Sequence, residues 1–327
     1  MSASQTGSSS SELTMAVLGC GTMGIAILSG ILASLDEMHN GSAKSSTSGT
    51  STPLYETSTT HRLPSRFICC VRRPESVKKL KSAFAAHLNT VSIAQNANLP
   101  SIQKSDVIIL ACKPYMVQEV LSEPGVAAAL EGKLLISILA GVTEAQLEST
   151  LTAANDGTPV PGCRVVRAMP NTASLIRESM TVIGISNPPL DPETLGLVTW
   201  IFKRIGEVVL LPPSNMDVCT SLCGSGPAFF ALMLEAAIDG AVAMGLPRVE
   251  AQRMAAQTMK GAAGLVLNGD HPALLRDKVS TPGGCTIGGL LVLEEGRGRE
   301  EATVVASQLG KGVQGVNGTR FPGSQFQ

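Results

Sequence analysis

Aromatic side chains are scarce in this chain: one Trp, two Tyr and seven Phe among 327 residues. Surfaces that grip single-stranded nucleic acid stack bases on aromatics inside a basic groove, and Tyr55 and Tyr115 lie in no such patch. An excess of one charge is missing too. Lys and Arg total 25 against 26 Asp and Glu, a net charge of −1, so no footprint for nucleic acid or an anionic membrane surface is expected. No uncharged apolar run reaches bilayer-spanning length. The Ser-rich segment Met1–Ser11 lacks arginine and an apolar stretch, which argues against a secretory or mitochondrial leader. The eight cysteines show no zinc-ligand spacing, and no metal is expected. Reduced thiols in the cytoplasm are the natural reading. None of His39, His61, His87 and His271 sits in a catalytic-looking context.

What is present is a core of Ala, Val, Leu and Ile, with 44% of residues apolar and length enough for two domains. Short apolar runs at Met15–Leu18, Arg66–Val71, Val91–Ile93, Asp106–Ala111, Leu134–Leu139 and Arg164–Ala168 alternate with helical or loop segments. Such alternation predicts an α/β fold with a parallel, doubly wound sheet. Met180–Gly184 and Gly206–Leu210 are expected to close it around a helix from Pro192. Between Asp36 and Ser65 the composition turns to Ser, Thr, Gly and Pro, which reads as a surface insertion. Beyond Pro212-Pro213 strand signals vanish, and Gly226–Met244, Arg248–Asn268, Thr286–Glu295 and about Arg299–Leu309 read as helices. The division expected is a disordered tail 1–12, a dinucleotide-binding domain 13–211, a helical domain 212–310 and a flexible tail 311–327.

The first strand runs into Gly19-Cys20-Gly21-Thr22-Met23-Gly24 and opens a helix, the context in which G-x-G-x-x-G signals a Rossmann-type dinucleotide site. Gly19 serves the tight turn, Gly21 the approach of the pyrophosphate, and Gly24 close helix packing. With the insertion set aside, Arg72 and Arg73 end the second strand about twenty residues later, where an acid would select NAD. Paired guanidinium groups suit a 2′-phosphate, so NADPH is expected, with NADH possible. Cys112-Lys113-Pro114 and Ala140-Gly141 follow later strands at their carboxyl ends, where ligands of open α/β sheets bind.

Two further segments, 220–226 and 279–289, are rich in Gly, Ser and Thr. Glycines among hydroxyls let backbone N–H groups converge on a small anion, which points to a reductase of a small carboxylate.

The motifs Gly19–Gly24, Leu110-Ala111-Cys112-Lys113-Pro114, Ala140-Gly141-Val142-Thr143, Arg167-Ala168-Met169-Pro170-Asn171-Thr172, Leu222-Cys223-Gly224-Ser225-Gly226-Pro227-Ala228 and Ser280-Thr281-Pro282-Gly283-Gly284-Cys285-Thr286-Ile287 occur in that order. In this the chain resembles pyrroline-5-carboxylate reductases over about residues 13–309. The resemblance implies reduction of 1-pyrroline-5-carboxylate to L-proline with NAD(P)H, the last step of proline biosynthesis. It also implies an all-helical C-terminal dimerisation domain, an active site at the dimer interface, and a homodimer or a ring of dimers. By position it implies dinucleotide contacts from Met23, Arg73, Asn98, Lys113 and Ala140, and substrate contacts from Cys285 and Thr286. Three positions depart from the family pattern. Cys223 stands for the usual Ser, Lys278 for an Asn that meets the nicotinamide, and Pro213 falls where some members carry a substrate-contacting acid.

The chemistry asked of these residues is modest. Hydride attacks the C=N carbon of a cyclic imine that can arrive already protonated, so no tuned histidine is needed. Thr281 and the N–H groups of Gly283, Gly284, Cys285 and Thr286 are expected to hold the carboxylate. The Thr286 hydroxyl is the candidate catalytic group, bonding the ring nitrogen; its alternative role is that of an N-cap. Thr220 and Ser225 are expected to line the pocket. Glu235 is either a buried carboxylate or part of an exposed face. Competing readings are another NADPH-dependent cyclic-imine reductase, a hydroxyacid dehydrogenase using Lys260, and an NADPH-binding regulator without turnover.

Overall fold

The computed structural model describes residues 12–39 and 62–299. The expected tails, most of the insertion and the helix beyond Arg299 lie outside the described residues. The chain divides into two compact units, one running to Cys223 and the other from Gly224.

The first unit is built on an eight-stranded sheet in the order β3-β2-β1-β4-β5-β6-β7-β8. Its strands are β1 (Leu13–Leu18), β2 (Pro64–Val71), β3 (Val91–Gln95), β4 (Val107–Leu110), β5 (Leu134–Ser137), β6 (Arg164–Met169), β7 (Ser179–Gly184) and β8 (Gly206–Leu211). The first six run parallel, as the alternating pattern predicts. The sheet is not parallel throughout, however: β7 pairs antiparallel with β6, and β8 follows β7. The link 170–178 holds only the 3-10 turn Thr172–Ile176, too little chain for a parallel crossover.

Side chains alternate between the two faces of a strand, and each face has its own core. Met15, Val17, Phe67, Cys69, Ile109 and Ile136 face one way. They meet α1 (Thr22–His39), α2 (Pro74–Ala83) and, further along, a helix at Pro192–Lys203. Ala16, Leu18, Ile108, Leu110, Leu135 and Val165 face the other way. They are covered by α3 (Asn98–Gln103), α4 (Val117–Leu121), α5 (Val126–Ala129) and α6 (Glu144–Ala154). Helices on both faces explain the near-continuous apolar strands. The Pro192–Lys203 helix is α7, capped by Asp191, whose side chain accepts the Thr194 N–H at 2.9 Å.

Two boundaries differ from expectation. Helix α1 continues to His39, past Asp36, where the insertion was expected to begin. The first unit also passes Leu211 to take in α8 (Met216–Cys219), because Met216 and Cys219 are buried against Met169 and Val182.

Gly30, which carries no sequence signal, lets α1 approach the end of α7. A Cβ there would lie 2.6 Å from the Arg204 carbonyl oxygen. Gly30→Ala is therefore expected to cost about 1–3 kcal/mol through overpacking, read as a lowered Tm with cofactor affinity retained. An unchanged Tm would mean that α1 shifts freely.

The second unit holds α9 (Gly226–Ala243), α10 (Arg248–Leu267), α11 (Pro272–Val279) and α12 (Cys285–Glu295). Helix α11 was not expected from the sequence. Helices α9 and α10 pack together, and Arg248 pairs with Asp239 at 2.8 Å. Apolar side chains nevertheless face outward in quantity: Leu232 is 66% exposed, Leu291 65% and Val292 68%. By length and composition alone, 213–243 is apolar enough to cross a membrane, although it carries Glu235 and Asp239, both exposed.

Candidate active site

The glycine loop joins β1 to α1 at the carboxyl edge of the sheet. Gly19 has φ +79°, and a Cβ on it would sit 2.7 Å from the Cys112 Cα, so neither the turn nor the neighbouring strand end tolerates a side chain. The N–H groups of Gly19 and Cys20 both donate to the Cys70 carbonyl, at 3.0 and 2.9 Å. The Gly21 N–H donates back to Gly19 O at 2.7 Å. Those three donors are therefore engaged. Ile25 N–H is the first to bond back along the helix, to Gly21 O, which leaves Thr22, Met23 and Gly24 N–H as the first-turn donors for an anion. Gly21 is exposed and a Cβ there would meet only Gly19 O, at 3.8 Å. Gly24 packs on Val17, where a Cβ would approach to 2.9 Å. Cys20 has its side chain buried and its N–H bonded inward.

The other cofactor candidates of the first unit lie along the same edge, since the strands before them are parallel to β1. Arg72 and Arg73 follow β2, but they differ. Arg72 leans over α4, with Nη2 3.3 Å from Met116 Sδ and Nη1 3.7 Å from Glu119 Oε1. Arg73 is exposed, stands at the N-terminus of α2, and has no ion pair among the described residues. Of the two, Arg73 is the one free to meet a phosphate. Asn98 opens α3 after β3, and Cys112, Lys113 and Pro114 follow β4, Lys113 and Pro114 exposed. Ala140 is exposed after β5, beside Gly141 at φ +72°. The helix beyond is closed by a capping box between Thr143 and Gln146.

All eight cysteines are free. Burial pushes the Cys112 thiol up to about 11, with Arg72 pulling the other way, and it pushes Cys70 and Cys163 to about 11 as well. These thiols are protonated and unreactive at neutral pH. Iodoacetamide at pH 7 should label exposed Cys285 well before Cys112, and Cys112 should speed up only as pH climbs toward its own value. Mass spectrometry of the labelled peptides checks this, and equal rates at pH 7 would contradict it.

Segment 220–225 is not an open glycine nest. Thr220–Ser225 is wound as a π-helical turn that leads from α8 toward α9. The Thr220 hydroxyl donates to Met216 O at 2.8 Å, so toward a ligand it can only accept. Ser225 opens α9 without a side-chain cap bond. Two residues of the Arg167–Thr172 motif, for which the sequence suggested no role, hold this segment. Arg167 Nη2 lies 3.4 Å from Asp217 Oδ1, and Asn171 Nδ2 donates to Cys223 O at 3.0 Å. Arg167 N–H also donates to Glu144 Oε1 at 3.0 Å. Burial raises the Glu144 carboxyl above its ordinary value despite that bond.

In the second unit, Gly284 rather than Thr286 is the N-cap of α12, and no side chain caps it. Thr286 is the second residue of the helix, so its hydroxyl is not the cap. Gly283 has φ +69° with open space around it, and Gly284 N–H donates to Thr281 O at 3.0 Å. The N–H groups of Cys285 and Thr286 are therefore first-turn donors behind an open turn. Lys278 donates to Asp270 Oδ1 at 2.6 Å, so it answers a carboxylate of its own unit. Among the described residues no group of His, Cys, Asp and Glu could hold a metal ion.

Comparison with known proteins fits this layout. The family model "Pyrroline-5-carboxylate reductase dimerisation" matches residues 213–309, and "NADP oxidoreductase coenzyme F420-dependent" matches 14–141. A pyrroline-5-carboxylate reductase of Lophium arboricola is 62% identical over 95% of this chain and 98% of its own. One from Neurospora crassa is 56% identical over the same shares. Among solved structures, a Coxiella burnetii pyrroline-5-carboxylate reductase is 26% identical with TM-score 0.72, over 93% of this chain and 98% of that one. The Plasmodium falciparum pyrroline carboxylate reductase with NADP bound shares the fold at 23% identity, TM-score 0.71, over 94% and 98%. A Rossmann-type sheet, a helical C-terminal unit and near full-length identity above one half together place the chain in the pyrroline-5-carboxylate reductase family.

Proposed function

We propose that this protein reduces 1-pyrroline-5-carboxylate to L-proline with NADPH. The near full-length likeness to proteins named for that reaction carries the reading. The geometry supports it at both ends. Thr22, Met23 and Gly24 N–H would take the pyrophosphate and Arg73 the 2′-phosphate, while Lys113 and Ala140 border the dinucleotide. When bound, the nicotinamide supplies a hydride to the imine carbon. The ring nitrogen keeps the proton it carries and becomes the amine of the product. The protein's part is orientation: the α12 N–H groups hold the carboxylate, and Thr286 bonds the ring nitrogen.

The outward-facing Leu232, Leu291 and Val292 exceed what a monomer leaves bare, and the matching family model is a dimerisation region. A homodimer through the second unit, with rings of such dimers as the larger assembly, accounts for them, and for an apolar 213–243 without a membrane. Free cysteines suit a cytoplasmic location. The test is loss of NADPH absorbance on adding racemic pyrroline-5-carboxylate, with proline identified as product and NADH run in parallel. Tight NADPH binding without turnover would instead favour a regulator.

A further inference from the structure

A charged side chain on an interior strand of the sheet needs a reason. Arg167 lies on β6 between Val166 and Ala168, its side chain only 4% exposed, and its partner Asp217 is 24% exposed. Its Nε is buried without a hydrogen-bond partner. Such a pair adds little net stability over an apolar one; its best-attested use is to select one arrangement. Four residues on, Asn171 is itself pinned: Ser179 Oγ is 3.0 Å from its N–H, and its Oδ1 accepts the Ala173 N–H at 3.0 Å. Its Nδ2 is thereby aimed at Cys223 O. Between the two gripped points, Asp217 and Cys223, the chain passes into a π-helical turn. That geometry is rare, and it recurs at functional sites. The apolar plug of Met216 and Cys219 against Met169 and Val182 holds α8 down, but it does not set the direction of the turn.

We propose that Arg167 and Asn171 are positioning residues that grip both ends of segment 217–223 and hold the π-helical turn bearing Thr220 in its substrate-lining geometry. The functional half of this rests on the reductase reading above. The ties act through segment 217–223, and neither residue belongs to the glycine loop or the arginine pair, so their loss is felt by substrate and not by cofactor.

The test compares wild type with Arg167→Met, Arg167→Lys and Asn171→Ala. Each is assayed for amide hydrogen exchange over 216–225, for KM and kcat with pyrroline-5-carboxylate, and for NADPH Kd. Arg167→Met and Asn171→Ala should speed exchange in 216–225 and raise KM about tenfold, with NADPH Kd within about twofold. Arg167→Lys should recover part of the KM. Wild-type exchange and KM in both variants would overturn the proposal. So would a parallel loss of kcat and NADPH affinity that follows Tm, the mark of a purely structural role. Should Arg167→Met not fold, Asn171→Ala decides alone. A wild type without turnover sinks the reductase reading, while the exchange measurement still decides the clamp.

Discussion

Thr286→Ala should lose about a hundredfold in kcat, the order expected when one hydrogen-bonding group aimed at the reacting atoms is removed, while NADPH affinity stays near wild type. The reasoning starts at the N-terminus of α12. Gly284 is the cap and no side-chain bond closes it, so removing the Thr286 hydroxyl strips no cap, and Tm should hold. The N–H of residue 286 survives the substitution, so the carboxylate is still held and KM moves less than kcat. What disappears is the hydroxyl proposed to orient the ring nitrogen. Steady-state kinetics with pyrroline-5-carboxylate, alongside a thermal melt, separate the alternatives. Full turnover in Thr286→Ala would remove the hydroxyl from the mechanism. A collapse in Tm would assign it a structural duty instead.

Arg73→Ala should weaken NADPH about ten- to a hundredfold and NADH hardly at all, the range expected when one charge-assisted contact to phosphate is lost. Two observations single out Arg73 from its neighbour. Arg72 is drawn toward Glu119 and Met116, whereas Arg73 is exposed at the start of α2 with no ion pair among the described residues. That helix start also favours an anion. Arg72→Ala should accordingly cost less than Arg73→Ala. Fluorescence titration of both coenzymes reads the difference, and equal losses for NADPH and NADH would show that Arg73 does not read the 2′-phosphate.

The nucleotide half was legible because each of its signals is local. Gly19, Gly21 and Gly24 state their own backbone requirements, and buried strands such as Val107–Leu110 announce themselves as short apolar runs. The turn-back at β7 was not legible, since Ser179–Gly184 reads the same in either direction and only the short link before it sets the sense. The segment around Thr220 misled for a related reason. Its glycine and hydroxyls suit an open nest, and only partners far along the chain, Arg167 and Asn171, wind it into a helical turn. Gly30 was silent because its constraint comes from the Arg204 carbonyl, far away in sequence. Lys278 stands where the family carries Asn, and nothing in that motif announces its pairing with Asp270.

The double acceptance at the Cys70 carbonyl has a consequence for coenzyme engineering. Gly19 and Cys20 are fastened to the end of β2 by main-chain atoms alone, so the fastening does not depend on which side chains follow Val71. Positions 72 and 73, proposed to discriminate between coenzymes, are thus a replaceable cassette on a fixed mount. Exchanging positions 72 and 73 is therefore expected to alter coenzyme choice while the phosphate cradle stays where it is.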